Sequence, residues 1–218
     1  MAKQKHKPRR KQQGIMGRSD LPLALRKKIE QQERIRVNRE NAARVTLYAY
    51  SIAMNEIKGV GYKGIIRFEE RYRELEDEFY EDVEVGLEHA KQRLASHGIL
   101  ISGELYTAPP DGRTVRQQEV ADNIVQTSQV SQIVAAVAMN DTFGYGREVQ
   151  DRIRIRVEEL TARYANEGIG PLLEGMEKIG FYIHGGRVIH FSDEEGNIVT
   201  AKKALGQYAA NNRQVAGK

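Results

Sequence analysis

AMNEIKGVGYKGIIRFEERYREL, residues 53–75, returns later in the same chain as AMNDTFGYGREVQDRIRIRVEEL, residues 138–160. The offset is 85 residues and holds without a gap for about forty positions. Ala53, Met54, Asn55, Gly59, Gly61, Arg67, Leu75 and Leu87 match Ala138, Met139, Asn140, Gly144, Gly146, Arg152, Leu160 and Leu172. Glu56 pairs conservatively with Asp141, and Phe79 with Tyr164. Self-similarity at a fixed offset marks a duplicated structural unit. The likeness runs on: GILISGELY matches GFYIHGGRVIHF after a short deletion, and PPDGRTV matches DEEGNIVT, so each copy is roughly 75 residues long.

The first copy contains G-x-G-x-x-G at Gly59, Gly61 and Gly64. That spacing cradles a pyrophosphate when a strand precedes it and a helix follows. Here the preceding segment, RVTLYAYSIAMNEIK, reads as helix, and the second copy has Val149 where the first has Gly64. The shared unit is therefore G-x-G, and the third glycine is incidental. A helix ending on glycine, followed by a second helix, accounts for it without any cofactor.

The elements follow from spacing. Ser19 or Asp20 can cap, and Pro22 suits a first helical turn. Nothing breaks a helix from there to Lys58; its first half is polar, with sparse Leu25, Ile29 and Val37, and its second half turns apolar. Ile65, Phe68, Tyr72, Leu75 and Phe79 form one stripe of a helix over residues 62–80. Leu87, Ala90 and Leu94 do the same over 84–96, and residues 115–141 form a second long helix. Short strand-like runs with turn signals follow in each copy: ILI, LYT and TV, then FYI, RVIHF and IVT. AKKALGQYAANN reads as the start of another helix. The predicted fold is mainly α (α+β). It is a tandem duplication of a three-helix unit with a small β-meander, behind a disordered basic arm and a long helix. The expected divisions are residues 1–18 (arm), 19–117 (first repeat), 118–203 (second repeat) and 204–218 (tail).

Charge is distributed unevenly. The net charge of +4 splits into 14 basic and 4 acidic residues over residues 1–44 (+10), against 20 basic and 26 acidic residues beyond (−6). Residues 1–18 have almost nothing to bury and are expected to be disordered alone. A basic arm on a mildly acidic body points to a polyanionic partner. With no cysteine, disulfides and thiolate metal sites are excluded and a reducing compartment follows. No apolar run approaches a membrane span, and no secretory signal opens the chain, so a soluble cytoplasmic protein without membrane contact is expected.

At MNEIKGVGYKGIIRF the chain resembles small helical proteins of phages and prophages of Gram-positive bacteria. Those carry a histidine-acid-x-x-Gly-x-Gly-x-x-Arg stretch leading into a helix; Asn55 and Asn140 stand here where they often have His. The resemblance implies a mobile-element accessory protein, in the host cytoplasm, and nothing catalytic.

Three functional classes compete. The first is nucleic-acid binding, with DNA and RNA both open. Lys3, Lys5, Lys7, Arg9, Arg10 and Lys11 would contact phosphates, and Lys27 and Lys28, with Arg34 and Arg36, would extend the contact along the first helix. A winged-helix version fares poorly, because VEVGLEHAKQRLASHG is mixed in charge and PLLEGMEKIG offers one Lys against two Glu. The second class is a protein-binding inhibitor, adaptor or particle component, contacting an acidic host or phage protein or a second copy of itself through the duplicated body. The third is an enzyme. His6, His89, His97, His184 and His190 form no metal spacing, His89 is replaced by Glu174 in the second copy, and no catalytic motif appears. No catalytic residue, cofactor or metal is assigned.

Overall fold

The computed structural model describes residues 22–101, 104–192 and 198–199. The expected arm, the helix opening at Ala201 and the tail lie outside the described residues. The chain divides into two units, Met1–Val37 and Asn38–Lys218. The described part of the first is the start of α1, Leu23–Lys58, in which no residue before Val45 is buried. The second holds the rest of α1 with α2 (Tyr62–Glu81), α3 (Val83–Ala95), α4 (Val115–Phe143), α5 (Arg147–Glu167) and α6 (Gly170–Ile179). Four short strands follow: β1 (Tyr182–His184), β2 (Arg187–Ile189), β3 (Phe191–Ser192) and β4 (Ile198–Val199). The fold is mainly helical with a small antiparallel element at its C-terminal end.

Each helix sits where its side chains demand. The α2 stripe predicted from spacing is buried throughout: Ile65, Phe68, Tyr72, Leu75 and Phe79. Leu87, Ala90 and Leu94 of α3 are buried as well. Asp82 caps α3 by accepting from the backbone N–H groups of Glu84 and Val85. Thr114 and Gln117 close a capping box at the start of α4.

The two G-x-G joints are superimposable in kind. Gly59 and Gly144 adopt left-handed φ of 65° and 66°, which end α1 and α4. Gly61 and Gly146 are extended, at φ −80° and −79°, and begin the next helix. Asn55 Nδ2 donates to the Val60 carbonyl at 3.0 Å, and Asn140 Nδ2 to the Tyr145 carbonyl at 3.4 Å. A helix precedes each joint, so neither is a strand-to-helix phosphate loop.

The copies are interlocked rather than set side by side. Helix α4 of the second copy packs on α2 and α3 of the first. The C-terminal half of α1 meets α5 through Glu56 and Arg156, and meets α6 through Ile52, which lies against Gly175. Burial repeats at the 85-residue offset: Met54 and Met139, Ala53 and Ala138, Phe68 and Ile153, Leu75 and Leu160 are all core. Each long helix thus covers an apolar face that its partner copy cannot bury alone.

The strands differ from expectation. In the second copy, β1 and β2 form a hairpin through Gly185 and Gly186, both at positive φ, and β3 pairs separately with β4. This is two two-stranded pieces, not one meander. In the first copy no strand forms among the described residues of 99–114. There the backbone of alternate residues is held by side chains of α4. Gln129 bonds the Glu104 carbonyl and the Tyr106 N–H; Asp122 accepts from the Ala108 N–H; Gln118 donates to the Ala108 carbonyl. Gln118, Asp122 and Gln129 lie on one helix face and stand in for a sister strand. Their counterparts on α1 are Glu33, Val37 and Arg44, and this copy makes a hairpin instead.

Candidate functional site

The predicted phosphate contacts divide between the two categories of residue. Lys3, Lys5, Lys7, Arg9, Arg10 and Lys11 lie outside the described residues. Lys27 and Lys28 are exposed in the first two turns of α1, and Arg34 is exposed two turns further on. Arg36 is exposed and pairs with Glu33 at 2.6 Å. The helix backbone therefore presents these ammonium and guanidinium groups to solvent, where they can meet a polyanion.

A second polar group is buried. Glu69 of α2 is only 3% exposed, and its Oε2 lies 3.5 Å from His190 Nε2, on the segment after β2. Burial pushes the Glu69 carboxyl up to about 7, against the lowering influence of Arg73. Burial also lowers the His190 imidazole, and Arg73 lowers it further. Both shifts move toward the uncharged forms, and Arg73 Nη2 lies 4.0 Å from the same Glu69 Oε2. Glu69 Oε1 and His190 Nδ1 are buried without a hydrogen-bond partner. Phe181 stands edge-on to His190 with centroids 5.6 Å apart, and Tyr62 packs on Phe181 at 4.6 Å. The Tyr48 hydroxyl, on α1, accepts from the Val188 N–H at 3.2 Å. Together these contacts dock the β1–β2 hairpin on α1 and α2.

The pair belongs to one copy alone, since Arg154 occupies the position equivalent to Glu69. A sequence signal was available: Glu69 stands four residues after Ile65 and three before Tyr72, inside the apolar stripe. The partner came from 121 positions away and carried no such signal. His184, read alongside His190, is instead exposed and stacks beside Tyr182. Among the described residues no three His, Asp or Glu side chains converge as metal ligands.

A third feature is a cavity of roughly 430 Å³ between α2, α3 and α4. Leu75, Phe79, Ala90 and Val137 line it, with His89 and Glu81 at its edge. In the second copy the equivalents of Ala90 and Val137 are Gly175 and Ile52, and a Cβ on Gly175 would meet Ile52 Cδ1 at 2.5 Å. The extra methylene on α1 fills the space that glycine leaves on α6.

No family model, curated protein or solved structure matches the chain. Among the described residues, no helix is long and apolar enough to cross a membrane.

Proposed function

We propose that this protein is a non-catalytic accessory protein of the phage type that binds nucleic acid electrostatically through its basic N-terminal segment. The separation of charge carries the reading: 14 basic and 4 acidic residues in the first 44 positions, against 20 and 26 in the rest. The exposure of Lys27, Lys28 and Arg34 on α1 supports it, because the cationic groups continue beyond the arm on a surface open to a partner. Lys3, Lys5, Lys7, Arg9, Arg10 and Lys11 supply most of the phosphate contacts, and counterion release drives the association. The resemblance of the G-x-G joint to phage proteins supports an accessory role.

The test is anisotropy of labelled DNA and RNA with the full chain and with a chain starting at Ser19, across a salt series. With all six arm cations on phosphates, the log–log salt slope of the full chain on duplex DNA is steeper by about 5 than that of the truncated chain. Equal slopes and equal affinities for the two chains would sink the reading. A protein partner of the helical body would then be sought by pull-down.

A further inference from the structure

Resting on the nucleic-acid reading, we infer that the outer face of the β1–β2 hairpin is a stacking platform for the unpaired bases of a single strand. The hairpin is pinned from within: Ile183 and Val188 pack against the core, and Val188 N–H is bonded to the Tyr48 hydroxyl. The opposite face carries Tyr182, His184, Arg187 and Ile189, held in register as Tyr182↔Ile189 and His184↔Arg187 and all exposed. Tyr182 is 39% exposed. The rings of Tyr182 and His184 are within 8° of parallel, with centroids 6.4 Å apart. That is about the i to i+2 rise of a strand, so the two rings stand side by side on one face, where a base can stack on either.

The surrounding charge suits a phosphate backbone. Residues 45–218 carry 20 basic and 26 acidic side chains, yet Arg187 is exposed on this face of the hairpin. Arg44 of α1 and Arg187 of β2 both act electrostatically on Tyr48 beneath it, and Arg73 of α2 acts on His190 at its end. The acid among them, Glu69, is buried, and burial raises its carboxyl to about 7. A single strand offers unstacked bases to aromatic rings; a duplex does not, and neither does an acidic protein. The basic segment would then supply affinity, and the hairpin the preference for single strands.

The chain has no tryptophan, so Tyr182→Trp places one fluorophore on the platform. Oligo-dT and a duplex of equal length are titrated into the full chain, Tyr182→Ala, Tyr182→Phe and Tyr182→Trp at about 100 mM salt, with thermal melts confirming the fold. The expected result is quenching of Trp emission by oligo-dT, single-strand affinity about tenfold weaker in Tyr182→Ala and retained in Tyr182→Phe, and duplex affinity and salt slope unchanged. Unquenched emission with wild-type single-strand affinity in Tyr182→Ala overturns the platform, as does an equal loss on duplex and single strand. If the wild-type chain binds neither probe, the nucleic-acid reading itself fails and the platform falls with it.

Discussion

Arg71 donates from Nε to Asp141 at 2.8 Å, and 85 residues on the same contact recurs with the copies exchanged: Arg156 reaches Glu56 at 2.6 Å. The intrahelical halves repeat too, as Arg71–Glu74 at 2.7 Å and Arg156–Glu159 at 2.6 Å. When residue i of one copy meets j of the other, and j of the first meets i of the second, the interface is isologous, as in a two-fold dimer. Here both halves of that interface lie in one chain. The duplication read from the sequence is thus also a symmetry of contacts.

The two bridges are expected to differ in strength. Arg71 and Asp141 are 26% and 18% exposed, and Arg93 also reaches Asp141, whereas Arg156 and Glu56 are 32% and 42% exposed. Screening weakens the wetter pair. Double-mutant cycles by urea unfolding should give a coupling of about 1 kcal/mol for Arg71→Met with Asp141→Asn, and a few tenths for Arg156→Met with Glu56→Gln. Asp141→Asn alone should cost more than Arg71→Met alone, because it removes the carboxylate charge that two guanidinium groups share. A larger coupling at Arg156 would contradict this ordering.

Ile52 over Gly175 in one half, and Val137 near Ala90 in the other, hold the same number of side-chain carbons divided differently. Gly175→Ala places a Cβ 2.5 Å from Ile52 Cδ1, and Ile52 is itself 4% exposed and cannot swing clear. Overpacking of this kind costs roughly 1–3 kcal/mol. Adding Ile52→Val removes the nearest clashing atom, Cδ1, and leaves the Cγ1 contact at 2.8 Å to be relieved by a small shift. Alanine also gains about 0.5–1 kcal/mol over glycine in a helix interior. The double variant should therefore melt above Gly175→Ala, with most of the loss recovered, although each single change lowers Tm. A double variant no more stable than Gly175→Ala would show that the clash is not the cause.

Much of this was legible. The 3.6-residue stripes placed α2 and α3, and the repeated Gly59 and Gly144 marked the helix ends, because both signals are local. What escaped was set by distant partners. The first copy's strand-like run finds its hydrogen bonds on Gln118, Asp122 and Gln129 instead of a sister strand, and Pro109 and Pro110 within it have no N–H to donate. Glu69 stands inside the α2 stripe, but its partner His190 comes from 121 positions away and only the folded hairpin brings the two together. The interlocking of the copies was equally hidden, since the period says that a unit repeats, not which copy's helices it embraces.

At the joints, Asn55 and Asn140 are expected to be unequal despite their shared role. The Tyr145 carbonyl accepts from Asn140 at 3.4 Å and also from Gln150 Nε2 at 2.9 Å. The Val60 carbonyl accepts from Asn55 at 3.0 Å, and Ile65, the equivalent of Gln150, offers no donor. Asn55→Ala should lower stability by about 1–2 kcal/mol, and Asn140→Ala by about half as much, in chemical denaturation. Removing the backup donor with Gln150→Ile should raise the cost of Asn140→Ala to match that of Asn55→Ala. Equal effects from the two single alanine variants would mean that Gln150 gives no support.

The Glu69–His190 pair should leave a signature in pH that appears only when it is split. A carboxyl raised to about 7 by burial stabilises fully below its unfolded value near 4.5, and that contribution is lost as pH rises toward 7. A lowered imidazole works oppositely: its contribution is present above the unfolded value of 6.5 and is lost as pH falls. Below pH 6.5 the folded chain holds its proton on Glu69 while the unfolded chain gains one on His190, so the two slopes oppose. Glu69→Gln removes the first slope, and stability relative to wild type should then fall as pH drops below 6.5. His190→Gln removes the second, and relative stability should fall as pH rises from 4.5 to 7. The groups facing the pair, Arg73, Glu70, Tyr48 and Tyr62, are kept in both variants. Melting curves of the three chains from pH 4 to 8 decide it. Parallel pH profiles would mean that burial does not hold Glu69 and His190 uncharged, and that the hairpin is docked by its apolar contacts and the Tyr48 hydroxyl alone.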